Sequence, residues 1–123
     1  MDIETILLEF LNFRSQIKLF HWTSQSYARH VALDELESQT SDTVDDLMEE
    51  MMATDHQPTE FKKDIFEFQL LTADKIGETE NYLEEFIKFL GNLKKDVTQG
   101  QSNKIDELMS SIEKALYKLK YLK

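Results

Sequence analysis

The chain has 123 residues and a formal net charge of −10, with no cysteine, one proline and three glycines. That length fits one domain with one core. The absence of cysteine excludes disulfides and thiolate metal sites, and the scarcity of Gly and Pro leaves little punctuation for a β fold. Residues 1–93 carry 20 acids against 7 bases, whereas residues 94–123 carry 4 acids against 7 bases. Between Arg29 and Lys62 there are ten acids and no Lys or Arg. Such a surface repels phosphate backbones and attracts cations, so no nucleic-acid partner is expected.

The first helix is expected over 3–23. Ile3, Ile6, Phe10, Phe13, Ile17 and Phe20 recur at three- and four-residue steps, the pattern of one buried helical face. Ser24-Gln25-Ser26 interrupts it, and either serine can cap the next helix. The second helix is expected over 26–53, with Tyr27, Val31, Leu33, Leu36, Val44, Leu47, Met48 and Met51 as its apolar positions. Pro58 marks its end, because the residue before a proline is disfavoured in helical geometry. Phe66, Phe68 and Leu70 then alternate, which reads as an extended piece. A connection as long as 54–72 is unusual between adjacent antiparallel helices, but a bundle needs one when successive helices run the same way. The third helix is expected over 73–97, with Ile76, Leu83, Phe86, Leu90, Leu93 and Val97 in register. Gly91 lies inside it, as a close contact or a weak point. Thr98-Gln99-Gly100-Gln101 reads as a turn and Ser102 or Asn103 as a cap. The last helix follows over 103–121, with Ile105, Leu108, Met109, Ile112, Leu116 and Leu119 at heptad-like spacing. The expected fold is a single all-α domain of four helices. No apolar run approaches the roughly 20 residues that span a bilayer. With no basic or apolar leader pattern at Met1-Asp2-Ile3-Glu4, the expected setting is cytoplasmic and away from membranes.

The informative polar feature is on the second helix. His30, Asp34, Ser41, Asp45 and Glu49 are separated by 4, 7, 4 and 4 residues, and at 100° per residue they fall within roughly 100° of one another. His21 and Trp22 stand just before the turn, so an antiparallel hairpin brings His21 near the start of the second helix. Imidazole and carboxylate are ligands for non-haem iron, and equally for zinc or manganese. Asp34 and Asp45 are about 16 Å apart along the axis, so both cannot reach one ion. Two half-sites result: His21, His30 and Asp34 at one end, Asp45 and Glu49 at the other. A two-fold pairing of such helices sets each half-site against its complement and makes two equal sites.

In the series His21-Trp22, His30, Asp34, Asp45, Glu49, together with the run Ile17-Lys18-Leu19-Phe20 before it, the sequence resembles the Dps mini-ferritins. The resemblance is specific over residues 17–50. It implies a ferritin-like four-helix bundle with a long crossover between helices 2 and 3. It implies a homo-oligomer that binds iron between subunits and oxidises Fe²⁺, usually with hydrogen peroxide, storing ferric oxide in a hollow shell. Carried over residue by residue, His21, His30 and Asp34 would come from one subunit and Asp45 and Glu49 from its neighbour, with Trp22 close to the metals. No catalytic group beyond these ligands is implied. The interval from His21 to His30 is shorter than the family's, and the basic N-terminal tail that some members use on DNA is missing. The segment Tyr27-Ala28-Arg29-His30, with the ending Tyr117-Lys118-Leu119-Lys120-Tyr121-Leu122-Lys123, also resembles small proteins of phages and large viruses, which would place the chain in an infected cell.

Other features read plainly. There is no Glu-x-x-His, which removes the usual in-bundle di-iron site. His56 reads as a solvated loop residue, Trp22 as core or interface, and the methionines as packing. No arrangement suggests a covalent nucleophile, and no Gly-rich loop suggests a nucleotide site. The rival to an iron protein is a non-catalytic helical interaction protein whose polar stripe pairs with water or a partner.

Overall fold

The computed structural model describes residues 1–54, 61, 62, 64–73, 75 and 77–122. His56, Pro58 and Ile76, assigned above to a loop, a helix stop and a helix, lie outside the described residues. Among the described residues there are four α-helices: α1 (Ile3–Thr23), α2 (Tyr27–Thr54), α3 (Glu78–Leu93) and α4 (Gln99–Tyr121). No strand occurs among the described residues. Among the described residues no helix is long and apolar enough to cross a membrane.

Each helix start has a local cause. Asp2 caps α1 by accepting a hydrogen bond from the Thr5 amide at 2.8 Å. Ser26 begins α2: its Oγ accepts from the Arg29 amide at 3.1 Å and its carbonyl from the His30 amide at 3.0 Å. Gly77, at φ 82°, precedes α3, and that left-handed backbone is accessible to glycine at little cost. Thr98 and Gln101 form a reciprocal capping box at the start of α4. The α4 expectation is therefore corrected, since Gly100 and Gln101 belong to the first turn of a helix that starts four residues earlier. Helix 3 is shorter than its periodicity suggests. It starts at Glu78 and tightens into a 3-10 turn over Lys94–Asp96, and Val97 is extended.

All four helices contribute to one core, with Phe10, Phe13, Phe20, Leu33, Leu36, Leu47, Leu83, Leu90, Ile105 and Ile112 almost fully buried. Tyr27, read as apolar core, is instead 83% exposed at the start of α2. Side-chain pairs give the directions. Lys18 meets Glu37 and Arg14 meets Asp45, so α1 and α2 are antiparallel. Lys104 meets Glu50 and Lys118 meets Glu35, so α2 and α4 are antiparallel. Lys94–Asp106 and Lys120–Glu84 do the same for α3 and α4. Phe13 stacks on Phe86 and Phe20 packs edge-on against Tyr82, which sets α3 antiparallel to α1. It follows that α2 and α3 run the same way.

The segment between them follows α1. The Lys62 amide donates to Glu4 Oε1 at 3.1 Å, near the start of α1, and the Ala73 amide to Thr23 Oγ1 at 2.8 Å, at its end. Between these, the buried Gln16 amide donates to the Leu71 carbonyl at 2.7 Å and accepts from the Leu71 amide at 3.2 Å. Gln16 thus acts as a backbone partner for an extended residue, a role a helix backbone cannot fill. The connection returns the chain to the end of the molecule where α2 began.

Candidate metal centre

The turn 24–26 folds α2 back on α1 and brings His21 over the first turns of α2. His21 Nε2 lies 3.2 Å from His30 Nε2, and the ring centroids are 4.2 Å apart. Asp34 Oδ1 is 3.9 Å from His21 Nε2. Glu37 Oε2 is 3.9 Å from His21 Nδ1. One ligand atom from each of His21, Asp34 and Glu37 fits within a 4.8 Å group. The His21 side chain is 13% exposed and Asp34 66%, so the cluster opens to solvent on the α2 side.

The orientation of His30 is fixed by the backbone. Its Nδ1 lies 3.2 Å from the His21 carbonyl oxygen, which can only accept, so Nδ1 carries the proton. His30 Nε2 is then a lone pair in the neutral ring, aimed at His21. An N–H held by a carbonyl behind a free ring nitrogen is the usual arrangement around a metal-binding histidine. The distance also fits. Two nitrogens held at about 2.0–2.1 Å from one ion, at tetrahedral to octahedral angles, lie about 2.8–3.4 Å apart.

The structure divides the sequence-derived ligand set. His21, His30 and Asp34 come together. Asp45 is further along the unbroken α2, where Arg14 Nη1 donates to its Oδ1 at 2.7 Å and Arg14 Nη2 donates to Ser41 Oγ at 3.3 Å. Glu49 is an exposed residue one turn beyond. Trp22, read as core or interface, is 70% exposed in the single chain, with the Lys18 ammonium 5.8 Å from its ring centroid. Glu37 was missed. Its signal is the continuation of His30 and Asp34 by a three-residue step, which keeps it on the same helical face. Lys18 Nζ meets Glu37 Oε1 at 2.8 Å, so α1 supplies a cation as well as an imidazole.

A family model described as a family of unknown function (DUF5856) matches residues 21–119, a span that holds all of these side chains. No curated protein and no solved structure matches the chain.

Proposed function

The chain belongs to the family of unknown function DUF5856, and we propose that it is a ferritin-like iron-binding protein of the mini-ferritin type. The observation that carries this reading is the convergence of His21 and His30, Nε2 to Nε2 at 3.2 Å, with Asp34 beside them. Two imidazoles and a carboxylate with open positions suit Fe²⁺, and the same set also accepts zinc or manganese. The parallel α2 and α3, joined by a segment that follows α1, support the ferritin-like arrangement of the helices.

In this reading iron is cargo. His21, His30 and Asp34 hold it from one chain, and Asp45 and Glu49 of a second copy complete the site. Asp45 must then exchange its Arg14 partner for the ion. Arg14 and Asp45 are 44% and 55% exposed, and a pair that open contributes about 1 kcal/mol or less, so the exchange is cheap. The same ion pair favours the rival reading for that end of the stripe, in which Asp45 serves helix packing.

The test is Fe²⁺ titration followed by absorbance of the ferric product after peroxide addition. It is run on wild type, His30→Ala, Glu49→Ala and an equimolar refolded mixture of the two variants. Each variant alone should lose binding. The mixture should regain part of it, because a mixed dimer rebuilds one intact site. Wild-type binding by His30→Ala would remove the centre; wild-type binding by Glu49→Ala alone would leave a site held within one chain.

A further inference from the structure

The first turns of α2 place three donors on one face. His30, Asp34 and Glu37 fall at i, i+4 and i+7, and the end of α1 lays His21 across them. One nitrogen of His21 and one oxygen from each of Asp34 and Glu37 lie within 4.8 Å of one another. Two donors held about 2.0–2.2 Å from one ion are at most about 4.0–4.4 Å apart, so side-chain movements of under about 1 Å close this group on an ion. His30 Nε2 offers a fourth donor, 3.2 Å from His21 Nε2. A second observation points the same way. His21 Nδ1 is buried with no hydrogen-bond partner among the described residues, and Glu37 Oε2 and Asp34 Oδ1 each stop 3.9 Å from a nitrogen of its ring. That separation is too long for a hydrogen bond and within the span of two ligands across one ion.

We infer that Glu37 is itself a ligand of the divalent cation, so that one chain offers four donors: His21, His30, Asp34 and Glu37. The inference rests on the cation site proposed above and adds a ligand that the mini-ferritin resemblance does not supply. Charge favours it. Asp34 and Glu37 stand three residues apart on one helix face and repel each other in the metal-free chain; an ion held by both replaces that repulsion with attraction. Beside two neutral imidazoles, two carboxylates also balance the charge of a divalent ion. Lys18 does not block the site. It meets Glu37 Oε1 at 2.8 Å, whereas Oε2 is the oxygen beside His21, so the carboxylate can keep Lys18 on one oxygen and hold the ion with the other. The second carboxylate bears on which ion is held, because carboxylate oxygen suits manganese while imidazole suits zinc and iron. Four donors leave two positions of an octahedral ion to water or to the carboxylates of a second copy.

The experiment is calorimetry on the full chain with Zn²⁺ and, separately, Mn²⁺ as redox-silent probes. Glu37→Gln keeps the shape of the side chain and removes its charge. It should weaken both ions about 10-fold or more, the scale on which loss of even an outer partner acts. Glu37→His supplies a different donor at the same place. It should recover most of the Zn²⁺ binding but not the Mn²⁺ binding, a change of preference that a merely structural side chain would not produce. Wild-type affinity for both ions in Glu37→Gln, with an unchanged helical spectrum, overturns the inference and leaves His21, His30 and Asp34 as the site. Equal losses in Glu37→Gln and Glu37→His, with the preference between the two ions unchanged, make Glu37 a structural residue and also overturn it. Failure of the wild type to bind Zn²⁺, Mn²⁺ or Fe²⁺, or wild-type binding by His30→Ala, overturns the underlying cation site as well.

Discussion

Tyr82 lies on α3 between Phe20 and Phe86, with ring centroids 5.8 and 6.3 Å away. Burial, with a smaller contribution from Glu9, pushes its phenol above the ordinary tyrosine range. The folded chain therefore keeps a proton that the unfolded chain loses from about pH 10 upward, so this stabilisation is complete below that pH and is lost as pH rises. Lys104 and Lys120, raised mainly by their hydrogen bonds to Glu50 and Glu84, titrate in the same alkaline window. The informative comparison is thus Tyr82→Phe against wild type. The variant should lose less stability between neutral and strongly alkaline pH in urea unfolding, and parallel curves would remove Tyr82 as a cause. At this scale the sequence shows some groups and hides others. His30 and Asp34 stand out because a four-residue helical step puts them together, and His21 because a short turn folds it back. Glu37 is hidden because the polar stripe steps from Asp34 to Ser41 in one seven-residue stride, past the residue on the same face between them. Asp45 looks like a ligand in one dimension, and nothing in the α2 sequence reveals that Arg14 of α1 already holds it.

The helices themselves follow closely from periodicity, since the buried positions of α1 and α4 are those that repeat at three- and four-residue steps. Their ends were less legible, for local reasons. Thr98 and Gln101 carry the Thr-x-x-Gln capping pattern, but the small polar run around Gly100 resembles a turn more than a first helical turn. Gly77 fixes the start of α3 through a left-handed backbone that spacing alone does not report. Gln16 offered no signal at all, because a glutamine on an apolar face acquires its role only when Leu71 arrives beside it. Gly91 shows the reverse case, a residue whose two readings the structure separates. A Cβ added there meets nothing within 4 Å, so glycine is not needed for a close approach. Gly91→Ala should therefore stabilise α3 by about 0.5–1 kcal/mol. Thermal unfolding should show the midpoint rising by about 2–6 °C. A lower midpoint would mean that the interior of α3 has less room than its backbone indicates.

On the scale of the molecule, charge and exposed apolar surface point to the outer face of α1. Leu11 and Trp22 are 54% and 70% exposed. With Ser15 and Lys18 they fall at steps of four, three and four, which is one stripe on one helix face. The stripe borders the acidic side of α2, where Asp34, Asp45 and Glu49 lie on an exposed face. A two-fold pairing through α1 and α2 would cover the stripe and set each chain's His21 end against the other chain's Asp45 and Glu49. We predict such a dimer, and Trp22, the single tryptophan, reports on it. In a separate chain its indole is open to water and to a soluble quencher. In the dimer its emission should shift to shorter wavelength, and quenching should fall, as concentration rises through the association range. Trp22→Ala should weaken association while leaving the helical spectrum and unfolding midpoint nearly unchanged, since an exposed side chain contributes little to the core. Fe²⁺ should strengthen association if ligands come from both chains, because an ion that binds the dimer better shifts the equilibrium toward it. Sedimentation showing a monomer at micromolar concentration, with and without Fe²⁺, would rule the dimer out and leave His21, His30 and Asp34 as a site that one chain must complete alone.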